Sequence, residues 1–347
     1  VDSLPFALIV VIFVAAAAVV WVAGIQLSKA TDVLDARLHL GSALGGLIVL
    51  AVATNLPEIA ITVSAAVSGN LDAAVGNILG GIALQTVVLV ILDAFGKRGR
   101  GVKPLTYRAA SLTLVLEGLV VIAVLAVVIA GSQLPDGLEL LHLTPDVVLI
   151  AALWVVGLIL VQRAGSHLPW HEDGRAPEAT AKPKKSGGTS MSTKKAAVVF
   201  SIAALATLVA GVVLERAGDA AASQIGLSGV LFGATVLALA TSLPEISTGL
   251  RAIRQGDDNL AISDIFGGNA FLPVLFLVAT LISGSAVLPR ANAADIYLTA
   301  LAALLTLVYV VGLIFRPQRR IIGMGVDSFI VLALYALGMI GLFAVSS

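Results

Sequence analysis

The sequence predicts an all-α membrane protein of ten transmembrane helices, arranged as two inverted five-helix repeats with broken helices where the halves meet. Three observations carry this. The 347 residues are 59% hydrophobic and only 12% charged, far outside soluble usage. Apolar runs of about 20 residues, the length that crosses a hydrocarbon core, recur along nearly the whole chain. The pentapeptide Thr54-Asn55-Leu56-Pro57-Glu58 returns as Thr241-Ser242-Leu243-Pro244-Glu245.

Ten apolar segments can be marked: Leu4 to Leu27, Leu44 to Val67, Asp72 to Ala94, Ala109 to Ala130, Asp146 to Val161, Ala196 to Leu214, Val230 to Ile253, Leu260 to Ile282, Ala294 to Phe315 and Ile322 to Ala344. The alternating ten-residue pattern of a membrane barrel is missing. The first run has no basic stretch before it and is longer than a signal-peptide core, so it is expected to stay as a spanning helix. Between the fifth and sixth runs, residues 162–195 are rich in Pro, Gly, Ser, Lys and His and read as a polar linker. The expected units are a first half, 1–161, the linker, and a second half, 196–347. The absence of cysteine excludes disulfides and thiolate metal sites.

Placement of Lys and Arg orients the chain. With both termini outside, 19 of the 21 basic residues fall in inner loops or the linker, and only Arg216 and Arg290 fall outside. That is the asymmetry of the positive-inside rule, and it makes the linker cytoplasmic. Repeat spacing agrees. Adding 187 to Thr54, Pro57, Glu58, Gly69, Gly76, Gly80 and Gly81 lands on Thr241, Pro244, Glu245, Gly256, Ser263, Gly267 and Gly268. Five spans per half is an odd number, so the second half enters the membrane from the other side.

Within each half an acid lies on one arm of a helical hairpin and a second polar residue on the other, Glu58 with Asn77 and Glu245 with Asp264. The turns at Ser68-Gly69-Asn70 and Arg254-Gln255-Gly256 fall midway between them. Nine or ten residues at about 1.5 Å each put all four groups roughly 14 Å deep, half of a ~30 Å core. Pro57 and Pro244 lack an N–H, so each helix should kink or break there. Carbonyls freed at Ala53 or Thr54, and at Ala240 or Thr241, then become cation ligands. Two Glu, one Asp, Thr, Asn and Ser supply the all-oxygen shell that hard cations such as Ca²⁺ take.

Asn55 and Ser242 also fit a helix cap followed three residues later by Glu. A cap contributes about 1 kcal/mol, whereas a carboxylate in mid-membrane costs roughly 2.5–3.5 kcal/mol even on lenient scales, so duplication at matched depth favours an ion site. The nearby glycines suit helix packing or exposed backbone equally. Glu117, without a counterpart acid in the repeat, reads either as an accessory proton carrier or as a buried hydrogen-bonded acid. Asp93, Asp295 and Asp327 are expected at the membrane interface. His167 and His171 have ligand-like spacing, but Pro169 between them argues against a metal site.

The duplicated Ala-Thr-(Asn/Ser)-Leu-Pro-Glu-Ile, each copy followed by a glycine-rich segment, resembles the two α-repeats of the sodium/calcium exchanger family within the calcium/cation antiporter superfamily. The repeats cover about 41–90 and 228–277. The resemblance implies a secondary antiporter moving Ca²⁺ against Na⁺ or H⁺ in the plasma membrane of a prokaryote, with no cofactor, no enzymatic activity and no nucleic-acid partner. Glu58 and Glu245 would be the shared Ca²⁺ carboxylates, Thr54 and Thr241 would give backbone oxygens, and Asn55 and Ser242 would flank them. Departures come further on: the family's Gly-Ser-Asn triplet is Gly80-Gly81-Ile82 in one repeat and Gly267-Gly268-Asn269 in the other, so only Asn269 keeps an amide there. The next family ligand position holds Gln85 and Leu272. Those departures bear on Na⁺ coupling and leave the central divalent site. Asp264, where the family has Asn, would compensate or carry a proton. A monovalent cation/proton exchanger remains the alternative, with a cation channel behind it; acids at both breaks disfavour an anion carrier.

Overall fold

The computed structural model describes residues 4–38, 50–97, 99, 101–109, 111–135, 138, 143–167, 191–226 and 232–346. They are mostly helical, and among them eight helices are long and apolar enough to cross a membrane. In chain order the helices are α1 Phe6–Leu38, α2 at residues 50–54, α3 Leu56–Ser68, α4 Leu71–Phe95, the short α5 Leu105–Arg108, α6 Leu112–Gly131 and α7 Pro145–His167. Then follow α8 Thr193–Ile225, a π-helical turn Gly233–Leu237 leading into α9 Ala238–Thr241, α10 Leu243–Arg254, α11 Asp258–Phe271, α12 Leu275–Ser283, α13 Ala293–Phe315 and α14 Val326–Ser346. A two-residue ladder, β1 Arg320–Ile321 with β2 Met324–Gly325, turns the chain before α14.

Two of the ten expected spans, the second and the seventh, are not among the eight. Both carry the Leu-Pro-Glu motif, and among the described residues each is broken two places before its proline, which leaves α3 with 13 residues and α10 with 12. Residues 39–49 and 227–231, where both α-repeats begin, and most of the expected linker, residues 168–190 with His171, lie outside the described residues. At its edges α7 runs on through His167 and α8 starts at Thr193.

Helix starts repeat in register. The first and last residues of α1, 6 and 38, are each 187 below those of α8, 193 and 225. The same interval separates the starts of α3 and α10, 56 and 243, and of α4 and α11, 71 and 258. Beyond the third long helix the interval drops to 181, for α6 and α13 at 112 and 293 and for α7 and α14 at 145 and 326. The hairpin turns match bond for bond: Asn70 N–H donates to Ala65 O at 2.9 Å, and Asp257 N–H to Ala252 O at 2.9 Å. Gly69 and Gly256 hold the left-handed position, φ 76° and 89°, that glycine adopts without strain.

Burial separates the helices into two kinds. In α4 83% of the most apolar stretch is inside the protein, and in the α11–α12 span 61%, against 22% for α1, 28% for α8 and 17% for α7. The first two are therefore central and the others face lipid, as Val11, Val14, Ile202 and Leu205 do. The core joins Ile78, Leu79, Ile82 and Leu89 of α4 to Ile262, Ile265 and Phe266 of α11. Pro273 sits in the 3₁₀ turn Leu272–Val274 between α11 and α12, where its missing N–H interrupts the α-ladder; α4 has Thr86 at the equivalent place and runs straight through.

Helix α1 runs eleven residues past the end of the apolar run from which it is read, Leu27, and α8 runs eleven past Leu214. Their polar ends stay helical because they are covered: Ser28 and Thr31 are buried, and Arg251 donates to Ser28 Oγ at 3.2 Å. Asp93, Asp295 and Asp327 are covered by the protein as well. They stand near helix ends and are 2%, 1% and 3% exposed. Asp93 is held by Leu105 N–H at 2.7 Å, Gly325 N–H at 2.6 Å and Ser328 Oγ–H at 2.9 Å, which satisfies its carboxylate inside the protein.

Candidate ion-binding site

The site is built at two matched helix breaks. Asn55 separates α2 from α3 with φ −85° and ψ 14°, and Ser242 separates α9 from α10 with φ −79° and ψ 5°. One residue leaves the helical conformation in each copy. Two places on, Pro57 and Pro244 have no N–H to return to the carbonyls of Ala53 and Ala240. Neither Asn55 nor Ser242 makes a side-chain cap bond, so the capping pattern is not used. Instead Asn55 Nδ2 donates back to Ala51 O at 2.6 Å, and its Oδ1 accepts from Gln85 Nε2 at 2.9 Å.

Each break is clasped by a long helix from the opposite half. A Cβ added at Gly24 of α1 would lie 2.8 Å from Pro244 Cα, and one at Gly211 of α8 would lie 3.0 Å from Pro57 Cα. Gly24 and Gly211 are themselves 187 apart. Only glycine lets the backbones approach this closely.

Every expected site residue is buried: Thr54, Asn55, Glu58, Ser242 and Asn269 at 0%, Thr241, Glu245 and Asp264 at 1%, and Asn77 at 8% exposure. Glu58 and Asp264 each lie within electrostatic reach of Glu245. Thr241 stands against Glu58, and Thr54 against Glu245. Thr54 Oγ1 also reaches Asp264 Oδ1 at 3.5 Å, joining the first break to the second half. The Thr54 contact is too loose to satisfy Glu245: both of its carboxylate oxygens lack a hydrogen-bond partner, as does Glu58 Oε2. Buried acceptors in that condition are costly unless a proton or a cation meets them.

Three expected ligands are set somewhat apart. Asn77 Nδ2 meets the backbone oxygen of Glu58 at 3.5 Å. Asn269 Nδ2 donates to Thr86 Oγ1 at 3.0 Å, leaving its Oδ1 unpartnered. Ser242 Oγ is buried without a partner. Among the described residues no three His, Cys, Asp or Glu side chains lie close enough to hold a metal on their own. An ion held here must therefore draw on hydroxyl, amide and carbonyl oxygens as well.

Gln85 and Thr248 belong to the cluster and are not among the expected site residues. Gln85 Nε2 donates to Glu58 Oε1 at 3.3 Å as well as to Asn55, and Thr248 Oγ1 donates to Asp264 Oδ2 at 2.8 Å. Thr248 lies three residues after Glu245, on the same helix face, a spacing that could have flagged it. The glycines have a definite role at one position. A Cβ at Gly268 would fall 2.7 Å from Asn55 Nδ2 and 3.5 Å from Gln85 Oε1, so a side chain there would enter the cluster. Glu117 accepts from Ser263 Oγ at 2.6 Å, the hydrogen-bonded state that is one of its two readings.

Buried acids on paired broken helices, inside a many-spanning helical protein, are the equipment of a cation transporter. The family model described as sodium/calcium exchanger protein matches residues 8–163 and 195–345, and the chain belongs to that family. It is thus an antiporter rather than an enzyme, and its class of substrate is inorganic cations. CaxA of Alkalimonas amylolytica is 29% identical over 77% of this chain and 79% of its own length. The inner membrane protein YrbG of Escherichia coli K12 is 27% identical over 72% of each chain. Among solved structures, the H⁺/Ca²⁺ exchanger CAX superposes with a TM-score of 0.69 at 12% identity, covering 96% of this chain and 82% of that one. The sodium-calcium exchanger NCX_Mj superposes with a TM-score of 0.64 at 17% identity, covering 97% and 99%. These two likenesses establish a shared fold.

Proposed function

We propose that the chain moves Ca²⁺ in exchange for Na⁺ or H⁺ by alternating access around Glu58 and Glu245, with Thr54, Thr241, Asn55, Ser242, Asn77, Asp264 and Asn269 completing the oxygen shell. The observation that carries this is a pair of buried glutamates from equivalent helix breaks within electrostatic reach of each other, with Glu58 Oε2 and both oxygens of Glu245 lacking a hydrogen-bond partner. The names of the solved neighbours, an H⁺/Ca²⁺ exchanger and a sodium-calcium exchanger, favour a divalent substrate over a purely monovalent one.

The proposed architecture is ten spans in two inverted halves, 1–161 and 196–347, with residues 162–195 as a cytoplasmic linker and both ends of the chain outside. Contacts between loops support it. Asp258, next to the second hairpin turn, pairs with Lys97 at 2.9 Å and Arg108 at 2.5 Å, and Lys103 donates to Gln318 at 2.8 Å. Three basic loops assigned to the inner face are thereby joined. On the side assigned as outer, Gln224 at the end of α8 donates to Leu4 O at 3.0 Å. A small cavity is lined both by Arg251 and Gln255 of the inner turn region and by Thr248 and Asp264 of the cluster.

The test is ⁴⁵Ca²⁺ uptake into inverted vesicles driven in turn by imposed Na⁺ and pH gradients. Glu58→Gln and Glu245→Gln are each expected to lower uptake by a factor of at least about 100. Uptake unchanged in both variants would refute the proposal.

A further inference from the structure

Two more carboxylates touch the helices that carry the site, and they occupy related positions. Gly76 of α4 and Ser263 of α11 are 187 apart and directly precede Asn77 and Asp264. Against Ser263 stands Glu117 of α6, its Oε2 accepting the serine hydroxyl at 2.6 Å. Against Gly76 stands Asp295 of α13, whose Oδ1 would lie 3.8 Å from a Cβ added at the glycine. Helices α6 and α13 start 181 residues apart, and the acids sit near those starts, Glu117 as the sixth residue of one and Asp295 as the third of the other. Each half thus presses an acid against the same point of the other half's central helix.

The two acids differ in what meets them. Ser263 gives Glu117 a donor; Gly76 has none to give. Asp295 Oδ2 is engaged in its own helix cap, accepting from Asn292 N–H at 3.0 Å, but Oδ1 is buried and unpartnered. Asp72, exposed in the first turn of α4, lies four residues before Gly76, one turn away on the same helix face and therefore on the side that Asp295 Oδ1 meets. A buried carboxylate oxygen without a donor is unfavourable unless a proton or a metal cation neutralises it, and the exposed carboxylate one turn away gives a cation a second oxygen ligand.

We propose that Asp295 and Asp72 form a staging site for the transported cation at the outer mouth, from which the ion passes bare Gly76 to reach Asn77 and Glu58, about 7 Å deeper for the five residues from Asp72 to Asn77. The inference rests on the antiport reading above. At the inner mouth the equivalent place is closed by the Ser263–Glu117 hydrogen bond, so the two entrances are built differently.

Half-saturating Ca²⁺ is measured separately at each face, in right-side-out and inverted vesicles. Asp295→Asn keeps an acceptor for the Asn292 N–H and removes the charge; it is expected to raise the outer value about five- to tenfold and leave the inner value as it is. Gly76→Ser copies the other half by supplying a hydroxyl to Oδ1, and is expected to raise the outer value about threefold with the carboxylate intact. An outer value unchanged in both variants, or one that rises equally at both faces, overturns the staging site while leaving the antiporter standing. Absence of gradient-driven Ca²⁺ flux in the parent protein overturns both.

Discussion

Glu58 and Glu245 occupy equivalent positions, yet their surroundings are not alike. Glu58 is set among amides: Gln85 donates to its carboxylate, Asn55 lies one turn back, and Asn77 meets its backbone oxygen. Glu245 has no donor on either oxygen, and its partner across the hairpin is the acid Asp264, held by Thr248 and Thr54. Two of the three acids in this cluster, Glu58, Glu245 and Asp264, therefore come from the second half. The first half offers dipoles to a cluster in which the second half supplies most of the charge. A duplicated backbone fixes where oxygens go, while the side chains laid on it divide charge from polarity.

The comparison breaks most sharply if the halves are made alike in charge. Asp264→Asn, which copies Asn77, is expected to raise the half-saturating Ca²⁺ concentration roughly tenfold or more, since a buried carboxylate near the ion is lost. If counter-ion dependence is measured in the same vesicles, an effect on H⁺ coupling alone, with Ca²⁺ affinity intact, would make Asp264 a proton carrier rather than a ligand. Next come the glycines that clasp the breaks. Gly24→Val and Gly211→Val each drive a side chain into the backbone of a proline from the opposite half, and each is expected to lower the maximal exchange rate about tenfold. Similar losses would show that the two contacts work as a pair; a loss at one alone would show that a single half moves.

A smaller effect is expected from Gln85→Leu, which copies Leu272 of the second repeat. It strips Glu58 of its donor and should shift half-saturation about threefold. The smallest concerns stability alone. Asp258→Asn loosens the pairs to Lys97 and Arg108, lowering stability by about 1–2 kcal/mol in detergent unfolding with half-saturation unchanged.

How far the chain could be read depended on the range of the force involved. Helix and membrane character follow from local composition, and Pro57 and Pro244 announce their own breaks because a missing N–H is a property of one residue. The equivalence of the hairpins was legible in Gly69 and Gly256, since a left-handed turn asks for glycine wherever it occurs. The lengths of α1 and α8 were not, because Ser28 and Thr31 are kept helical by neighbours remote in sequence. Gln85 was visible only as a departure from a family pattern. Its bonds to Asn55 and Glu58 span 30 and 27 residues, and no spacing rule reaches that far.

By itself the sequence determined a duplicated, many-spanning helical membrane protein with an acid and a proline at the same point of each copy, because apolar length, charge placement and backbone chemistry act residue by residue. Only the tertiary structure decided that Glu245 would be left without a donor while Glu58 received one, that Asp93, Asp295 and Asp327 would be covered by the protein, and that each proline break would lie against a glycine of the other half. Those outcomes depend on which helices touch, and contact between distant segments is set by packing the whole chain at once.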